Sequence, residues 1–416
     1  MSVAWAAYRV VAPVLGAVAP AARLLASPHE RPLWDERMGR VRIAGGCHAW
    51  VHGASLGEAN AVVPLVEALA ALQPGLRACL TATTRAGRAR LERAGRGAHL
   101  APIDAPQAVA RFFDGVRPQR VFIVETELWP HWLLRARREG VPVAIVSARL
   151  SERSVARYRA LGRGLRRLVG GLAAVLCQSE EDVERWRAIG APPARTEVAG
   201  NLKNDALPER VLPRPEARAA LGLDAQRPLL VLGSLRPGEA RALAEAWAAL
   251  PAALRERWQV AALPRHVRAD EELRAEARAA GVRLVAEGAP RGGAWRWDAR
   301  IGVLNDWYAA ADVAVVGGSL GRFGGHNPLE PAALGAAVIV GPHHASQRPG
   351  VRALEAHGAV AVAAAGAPLR AALERLLGDD AERAARAAAA LAAVAGLRGA
   401  ARRVAGRLAT WGLWPL

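Results

Sequence analysis

The sequence predicts an α/β protein built from two doubly wound, parallel-sheet domains. From about residue 47 to residue 205, short apolar runs alternate with longer amphipathic ones, the pattern of strands and helices in succession. A second alternating series starts near residue 228. A charged stretch with three prolines, residues 207–215, separates the two series and is typical of a linker.

The expected strands follow from the apolar runs, and the expected domains follow from the linker. In the first series the runs lie at residues 47–51, 77–81, 120–124, 143–147 and 173–178. In the second series they lie at 228–232, 259–263, 282–285, 313–316 and 337–340. The predicted boundaries are an N-terminal helical region at 1–40, a first domain at 41–206 and a second domain at 207–416. Alanine- and arginine-rich helices at 368–377 and 380–413 are expected to pack against the second domain.

The composition is that of a globular protein with a strong positive charge. The 416 residues are 52% hydrophobic, which is enough for two ordinary domains that each bury a core. The net charge of +18 would attract any polyanion, although the excess of arginine, alanine and glycine also suggests a biased genome. The three cysteines lack paired spacing and the ten histidines form no metal-binding pair, so we expect a reducing compartment and no metal site.

The first 26 residues are apolar but interrupted. Arginines at positions 9 and 23 and prolines at 13 and 20 leave an apolar core of about 13 residues, short of the roughly 20 that span a bilayer. A helix lying in the membrane interface, with Trp5, Tyr8 and the arginines as anchors, fits this pattern. A buried packing helix is the alternative.

The first polar motif, HGASLGE, stands where an apolar strand gives way to a helix near Glu58. In open parallel sheets, ligands bind beyond the carboxyl ends of the strands, so this position favours a functional residue. A partly desolvated carboxylate at such a turn can act as a general base. The alternative is that Glu58 only complements the positive end of the helix dipole.

The second motif, ETELWP, directly follows the apolar run at 121–124. Alternation along an extended segment would place Glu125 and Glu127 on one side, where they could bind hydroxyls or share an arginine. Two carboxylates directly after a buried strand are unusual. Charges that merely precede a helix beginning at Pro130 are the alternative.

Lys203 is the only lysine in the sequence and lies in a polar cluster, GNLKND. In a chain whose other basic residues are arginines, a single ammonium group suggests a chemical role. A surface lysine without a function is the alternative.

Two weaker signals follow strands of the second series. In the motif GSLRPGE, Ser234 follows a strand and the motif opens a helix, an arrangement in which free backbone N–H groups hold phosphate or carboxylate. Arg265, in the motif PRH, follows another strand and could bind an anion through its guanidinium fork. Either one could also be an ordinary feature of a strand–helix turn.

The glycine-rich segment at 317–335 is the most informative motif of the second half. Its glycines permit close approach of a ligand, and Asn327 is placed to cap a helix whose first turn contains Pro328. Glu330, in the first turn of that helix, could bind both hydroxyls of a ribose. The segment therefore predicts a nucleotide site, although it lacks the Walker lysine and the dinucleotide fingerprint. A purely structural glycine loop is the alternative.

Taken in chain order, these motifs resemble the signature series of bacterial 3-deoxy-D-manno-octulosonic acid (Kdo) transferases. The resemblance extends from ERPLWDERMGR near the N-terminus to about residue 362. The motifs that carry it are HGASLGE, TATTRAG, ETELWP, SARLSERS, GNLKND, GSLRPGE, PRH, VGGSLGRFGGHNPLEPAALG and GPHHAS.

The resemblance implies the GT-B architecture, two Rossmann-like domains with a cleft between them. The first domain would bind the acceptor and the second would bind CMP-Kdo, for inverting transfer of Kdo to the lipid A precursor lipid IVA. It also implies a glycosyltransferase of lipopolysaccharide biosynthesis, anchored by its N-terminal region at the cytoplasmic face of the inner membrane. The implied partners include the anionic membrane surface and no nucleic acid, and no metal or other cofactor is implied.

Residue roles carry over with the motifs. Glu58 matches the general base that deprotonates the acceptor hydroxyl, and Glu127 and Lys203 match positions assigned to transition-state stabilisation. The residues that match donor contacts are Ser234, Pro264, Arg265, Ile301, Gly302, Val303, Asn327, Pro328, Leu329 and Glu330.

The chain also departs from the family pattern. His131 and Ser147 each stand where asparagine is usual, and Leu235 and Arg236 stand where threonine and histidine are usual. Two other functions remain open on the residues alone. One is a GT-B glycosyltransferase or epimerase that uses a uridine nucleotide, and the other is a basic protein that binds membranes or nucleic acid.

Overall fold

The structure is a computed structural model that describes residues 8, 11–14, 16–17, 21, 26–28, 30–95 and 97–416. It divides into two compact units. One unit combines the chain up to Ala206 with Leu397–Leu416, and the other is Leu207–Gly396. The N-terminal residues Trp5, Arg9 and Arg23 lie outside the described residues, so the interfacial helix stays a prediction.

The first unit is built on a seven-stranded parallel sheet. Its strands are β1 (Cys47–His52), β2 (Ala78–Ala82), β3 (Ala98–Leu100), β4 (Pro118–Val124), β5 (Val143–Ala148), β6 (Ala174–Cys177) and β7 (Thr196–Val198). Between residues 30 and 206, its α-helices over the described residues are α1 (Arg31–Arg37), α2 (Leu56–Leu72), α3 (Arg85–Arg93), α4 (Pro106–Val116), α5 (Pro130–Arg138), α6 (Glu152–Ala160), α7 (Arg163–Val169) and α8 (Glu180–Ala188). The strand order is β3-β2-β1-β4-β5-β6-β7.

The sheet of the first unit is buried on both faces, as a parallel sheet requires. On one face, α4, α5 and α7 cover a core in which Trp50 packs against Phe112 and Trp132 with ring centroids 4.6 Å apart. On the other face, α2 contributes a core that includes Val62 and Leu65. The carboxyl ends of the strands consequently meet at one edge, where the polar motifs begin.

The second unit repeats this plan. Its strands are β8 (Leu229–Leu235), β9 (Gln259–Pro264), β10 (Leu284–Val285), β11 (Trp295–Trp297), β12 (Val313–Val316), β13 (Ala337–Val340) and β14 (Val360–Val362). Its helices are α9 (Arg214–Ala220), α10 (Glu239–Ala248), α11 (Ala252–Arg257), α12 (Asp270–Ala279), α13 (Leu304–Ala310), α14 (Leu329–Ala333), α15 (Arg348–Glu355), α16 (Ala367–Gly378) and α17 (Asp380–Leu397). The seven strands are parallel in the order β10-β11-β9-β8-β12-β13-β14.

All ten predicted strands coincide with observed strands, within one or two residues at their ends except for β8, which continues three residues beyond the predicted end. The prediction missed four strands, β3, β7, β11 and β14, each three residues long. A segment this short carries no recognisable apolar run or alternation, so it is defined only by its pairing with a neighbouring strand.

The C-terminal segment belongs to the first unit, which differs from the predicted second domain at 207–416. Helix α18 (Ala400–Thr410) buries Val404 and Leu408 in the same core as Val62. Beyond the helix, Trp414 is buried and its indole N–H donates to the carbonyl oxygen of Leu69 over 2.9 Å. The alanine-rich sequence does not reveal this packing because alanine fits equally well against either domain.

Among the described residues, the helical stretch Asp380–Thr410 is long and apolar enough to cross a membrane by length and composition. Core helices of soluble proteins meet the same test, so this is weak evidence for a membrane span.

We expect Trp414→Ala to destabilise the first unit by about 3–5 kcal/mol, because it empties a buried site and removes the indole hydrogen bond to the Leu69 carbonyl. Urea unfolding, with hydrogen exchange in β1 as the local readout, would measure this loss. Trp411→Ala is the matched control, because Trp411 is only half-buried beneath the Arg407 guanidinium. Equal losses in the two variants would show that burial of Trp414 does not anchor the segment.

Candidate active site

Helix α2 begins at the carboxyl end of β1 with a capping box that contains Glu58. The hydroxyl oxygen of Ser55 accepts from the Glu58 N–H over 3.3 Å, and the Glu58 carboxylate accepts from the N–H of Ser55 over 3.2 Å and of Ala54 over 2.5 Å. The interaction of Glu58 with the N-terminus of the helix, the alternative considered from the sequence, is therefore present. It does not exclude the predicted general base, because it holds one carboxylate oxygen at a fixed position and leaves the other free of these bonds.

Glu125 follows β4 and adopts a left-handed backbone conformation, with φ of 65°. Its N–H donates to the carbonyl oxygen of Val146 over 3.0 Å, and its carboxylate forms an ion pair with the Lys203 ammonium. Such a conformation is uncommon outside glycine and points to a local constraint. The pairing singles out Glu125 rather than Glu127 as the partner of Lys203.

Lys203 lies in a short 3-10 turn, Leu202–Ala206, which we call the Lys203 turn. The ammonium lies against Gly57, where an added Cβ would be 3.7 Å from Nζ. Gly57 thus gives the ammonium access to the start of α2, beside Glu58. The structure brings Glu58, Glu125 and Lys203 together at the carboxyl edge of the sheet, where ligands bind in open parallel sheets.

The Lys203 turn is fixed from inside the sheet by Ser147. This buried serine, with φ of 51°, accepts from the N–H of Leu202 and from the Gln178 amide, both over 3.2 Å. The side-chain oxygen of Asn201 accepts from the N–H of Lys203 over 2.9 Å. Ser147, which departs from the family pattern, therefore supports the lysine.

The Lys203 turn is also fixed from the C-terminus of the chain. The Asp205 carboxylate accepts from the N–H groups of Gly399 over 2.5 Å and of Ala401 over 2.6 Å, so it caps the start of α18. Arg403 on α18 donates from Nε to the carbonyl oxygen of Ala199 over 3.0 Å.

Burial and mutual repulsion raise the pKa values of two carboxyl groups at this site. For Glu58, desolvation is the largest cause and the charge of Glu125 the next, while Lys203 acts in the opposite direction. For Glu127, desolvation is again the largest cause, followed by the charge of Glu58. A carboxylate whose pKa is raised in this way is a better proton acceptor than one in water. The site can thus take up one proton while its ammonium stabilises negative charge.

His131, the other departure in this region, lies at the start of α5. Its N–H donates to the Asp104 carboxylate over 3.0 Å, and its ring stacks on Tyr8 with centroids 5.3 Å apart. The Tyr8 hydroxyl donates to the same carboxylate. Burial raises the pKa of Asp104 to about 7. His131 therefore takes part in packing the N-terminal segment against α5.

In the second unit, the predicted phosphate cradle at the start of α10 is occupied by the protein's own carboxylates. Glu239 accepts from the N–H of Arg236 over 2.9 Å, and Glu276 accepts from the N–H groups of Gly238 over 2.7 Å and Arg241 over 3.2 Å. The expectation that these N–H groups are free to hold a phosphate is therefore wrong. Ser234 is buried, with φ of 58°, and is the last residue but one of β8.

The glycine-rich segment leads into α14 as predicted, but the helix begins one residue later than expected, at Leu329. The side-chain oxygen of Asn327 accepts from the Leu329 N–H over 3.1 Å, and its amide donates to Glu330 over 3.3 Å. Burial raises the pKa of Glu330 above its usual value, and the hydrogen bond from Asn327 and the charge of Arg265 offset part of that rise. Pro328 is the cap residue before the helix.

The remaining predicted donor residues form a more exposed loop. Ile301 is 87% exposed, and Gly302 beside it has φ of 90°. Val303 precedes α13, whose Tyr308 hydroxyl fills the space that a side chain at Gly233 would need. Pro264 pairs in register with Leu235 at the ends of β9 and β8.

Sequence reasoning missed three functional features of these sites. Glu125 was recognised as unusual but not as the partner of Lys203, which only the spatial neighbourhood shows. Glu239 and Ser147 hold their sites together through backbone N–H groups, for which a sequence gives no signal. Among the described residues, no group of three or more His, Cys, Asp or Glu side chains could hold a metal ion.

Comparisons with known proteins identify the family. Residues 33–206 match a family model described as 3-deoxy-D-manno-octulosonic-acid transferase. A 3-deoxy-D-manno-octulosonic acid transferase from Bordetella pertussis is 40% identical over 381 residues, 87% of each chain. The enzyme of that name from Chlamydophila psittaci is 30% identical over 72% of this chain and 70% of its own.

Solved structures with a similar fold come from another enzyme class. UDP-GlcNAc 2-epimerase from Neisseria meningitidis superposes with a TM-score of 0.61 at 12% identity, covering 87% of this chain and 99% of its own. A UDP-N-acetylglucosamine 2-epimerase from Listeria monocytogenes gives 0.58 at 17% identity, covering 84% and 94%. At these identities the likeness shows the fold alone, two Rossmann-like domains of the GT-B type. The agreement in sequence over most of both chains shows more: this chain belongs to the 3-deoxy-D-manno-octulosonic acid transferase family and is a glycosyltransferase.

Proposed function

We propose that the protein transfers Kdo from CMP-Kdo to a hydroxyl group of the lipid A precursor lipid IVA, with inversion at the anomeric carbon, in lipopolysaccharide biosynthesis. The observation that carries this proposal is the group formed by Glu58, Glu125 and Lys203 at the carboxyl edge of the first sheet. Family membership supports the sugar, and the second unit supplies residues suited to a nucleotide. No cofactor takes part in the proposed reaction.

In the proposed reaction, Glu58 removes the proton from the acceptor hydroxyl as its oxygen attacks the anomeric carbon of Kdo. The bond from that carbon to the phosphate oxygen breaks, and CMP leaves with the electron pair. The proton ends on Glu58, whose raised pKa suits that role. Attack from the face opposite the leaving group inverts the configuration.

Lys203 and the carboxylates beside it interact with the charge that develops in the transition state. We assign Lys203 to electrostatic stabilisation, with Glu125 as the group that orients it and Glu127 as a second carboxylate of the acceptor site. In the second unit we assign Glu330 to the ribose hydroxyls and Arg265 to the leaving phosphate. Ser234, Pro264, Asn327, Pro328 and Leu329, with the loop at 301–303, complete the proposed donor contacts.

A groove in the first unit supports an anionic, lipid-linked acceptor at the inner membrane's cytoplasmic face. It has a volume of about 810 Å³. Its lining is Pro106, Val109, Ala110, His131, Leu134, Arg135, Arg137, Arg138, Arg163, Gly164, Arg167 and Leu168. Arg135 pairs with Asp114 and Glu139, whereas no described acidic side chain pairs with the other four arginines. Apolar walls beside unpaired guanidinium groups suit a phosphorylated lipid better than a nucleic acid.

We expect Glu58→Gln to lower Kdo transfer by about 100- to 10,000-fold, because the amide cannot accept the proton. The assay measures Kdo transfer from CMP-Kdo to lipid IVA by purified protein, with products resolved by mass. Glu67→Gln, on the same helix and exposed, is the control. A well-folded wild type that transfers no Kdo, or one inhibited by UDP but not by CMP, would contradict the proposal. Kdo transfer that Glu58→Gln leaves unchanged would support the reaction but show that Glu58 is not its general base.

We expect Glu125→Gln to move the acid limb of the kcat/KM pH profile to lower pH and to lower kcat/KM roughly tenfold or more. The Glu125 charge raises the pKa of Glu58. Its removal makes Glu58 easier to ionise, so the base form persists to lower pH. Glu67→Gln should leave the profile in place. An unmoved acid limb in an active Glu125→Gln enzyme would show that the two carboxylates do not interact during the reaction.

We expect the double variant Arg137→Gln/Arg167→Gln to raise the KM for lipid IVA about tenfold and to leave kcat and the KM for CMP-Kdo unchanged. Loss of two positive charges from the groove weakens phosphate binding without touching Glu58 or Lys203. Arg93→Gln/Arg195→Gln, which removes two exposed arginines elsewhere on the same unit, is the matched control. Equal KM values for lipid IVA in the two double variants would show that the groove does not bind the acceptor.

A further inference from the structure

Glu239 holds the start of α10 and the glycine-rich loop of the second unit in one arrangement. It is 1% exposed, and its carboxylate accepts from the N–H groups of Arg236 over 2.9 Å, Gly318 over 2.7 Å, Leu320 over 3.0 Å and Gly321 over 3.3 Å. Four such bonds satisfy both carboxylate oxygens. These four backbone N–H groups are therefore unavailable to a bound anion, so side chains would have to bind an anion here.

Arg236 is the side chain that this arrangement presents. Its guanidinium carbon lies 4.5 Å above the centroid of the Phe323 ring, which belongs to the same glycine-rich loop. Its Nε is buried and has no hydrogen-bond partner among the described residues, and no described carboxylate forms an ion pair with it. A guanidinium held flat on an aromatic ring keeps its N–H groups in a fixed plane. Arg236 is thus oriented by the protein but not neutralised by it.

Arg265 lies beside Arg236 because the two residues leave neighbouring parallel strands at the same level. Leu235 and Pro264 are partners in the β8–β9 register, and each arginine is the next residue along its strand. The N–H of Arg265 donates to the carbonyl oxygen of Leu235 over 3.0 Å. Adjacent strands are about 4.8 Å apart, so two guanidinium groups start within reach of one anion.

His326 adds a third nitrogen donor to the group. Its N–H donates to the carbonyl oxygen of Gly317 over 3.1 Å, and its ring packs where a side chain at Gly318 would stand, 2.9 Å from Nε2. The Nε2 atom is buried and has no partner among the described residues. Burial, with the charges of Arg265 and Arg236, lowers the pKa of His326 to about 4. The imidazole is thus neutral near pH 7, where it can contribute a hydrogen bond without adding repulsion.

We propose that Arg236, together with Arg265 and His326, binds an oxyanion of the nucleotide-sugar donor. This inference rests on the proposed function for the identity of the donor, which carries two such groups, the phosphate of the nucleotide and the carboxylate of the sugar. Both present the oxygen geometry that a guanidinium fork matches. Arg236 is accordingly a donor-binding residue at a position where histidine is usual for the family.

The test measures binding and transfer separately. By calorimetry, CMP and cytidine are titrated into the wild type, Arg236→Gln and Arg236→His, and the KM for CMP-Kdo is measured for each protein. Arg241→Gln is the matched control, because Arg241 is exposed on α10. Equal thermal unfolding temperatures in the four proteins would show that the fold is intact, as expected for a side chain packed only on Phe323.

We expect Arg236→Gln to weaken CMP binding about 10- to 100-fold while cytidine binding stays unchanged, if the oxyanion is the phosphate. Unchanged CMP binding with a KM for CMP-Kdo raised by the same factor assigns Arg236 to the sugar carboxylate. Both results support the proposal. The affinity of Arg236→His should lie between those of the wild type and Arg236→Gln. Phe323→Leu should weaken binding of the same ligand by about 2- to 5-fold, because the Arg236 guanidinium loses the ring on which it stacks.

Arg236→Gln that matches Arg241→Gln in CMP affinity and in the KM for CMP-Kdo would overturn the inference and leave the proposed function standing. A wild type that binds no CMP and transfers no Kdo would overturn both. The two failures are therefore distinguishable in one set of measurements.

Discussion

The ion pair between Lys203 and Glu125 connects parts of the first unit that are far apart in sequence. Glu125 ends its strand in a left-handed conformation, and the Lys203 turn is held by Ser147 on one side and by the capped start of α18 on the other. Without the ammonium, Glu58, Glu125 and Glu127 would be three partly desolvated carboxylates in one place, a costly arrangement. The positive charge of Lys203 offsets part of the repulsion among these carboxylates. The pKa values of Glu58 and Glu127 nevertheless remain raised.

In both units, carboxylates of the protein itself accept hydrogen bonds from the backbone N–H groups at helix N-termini. Glu58 occupies N–H groups at the start of α2, Asp205 those of α18, and Glu239 and Glu276 those of α10. A helix start that is already satisfied attracts a second anion only weakly. Specificity for an anionic substrate must then reside in side chains, whose identity can change one residue at a time, rather than in a backbone loop.

The features that the sequence predicted well are those encoded locally. Apolar runs of four residues or more located ten strands, and polar motifs directly after two of them located Glu58 and Glu125. Lys203 was located as the only lysine of the chain, and it follows β7, a strand that the prediction missed. The three-residue strands such as β3 and β14 have no local signal and depend on their neighbours. The position of α18 depends on tertiary packing, because its alanines are compatible with either unit. The prediction of free N–H groups in GSLRPGE failed because Glu239 and Glu276 lie in the same hydrogen-bond network, which the sequence does not show.

Lysine at position 203 is best explained by the size of its charged group. Lys203 is the only lysine among the 56 lysine and arginine residues, and its ammonium lies against Gly57 and pairs with a single carboxylate oxygen of Glu125. A guanidinium is planar, wider and suited to two parallel hydrogen bonds, and it would meet the start of α2 at this distance. A compact ammonium can approach both the turn and the carboxylate, and its three donors can redistribute as charge develops beside it. In the second unit the requirement is reversed, because Arg236 stacks on the Phe323 ring, where a planar fork holds its direction and an ammonium would not. The choice between the two cations thus follows the shape of each site, whatever the average composition of the chain.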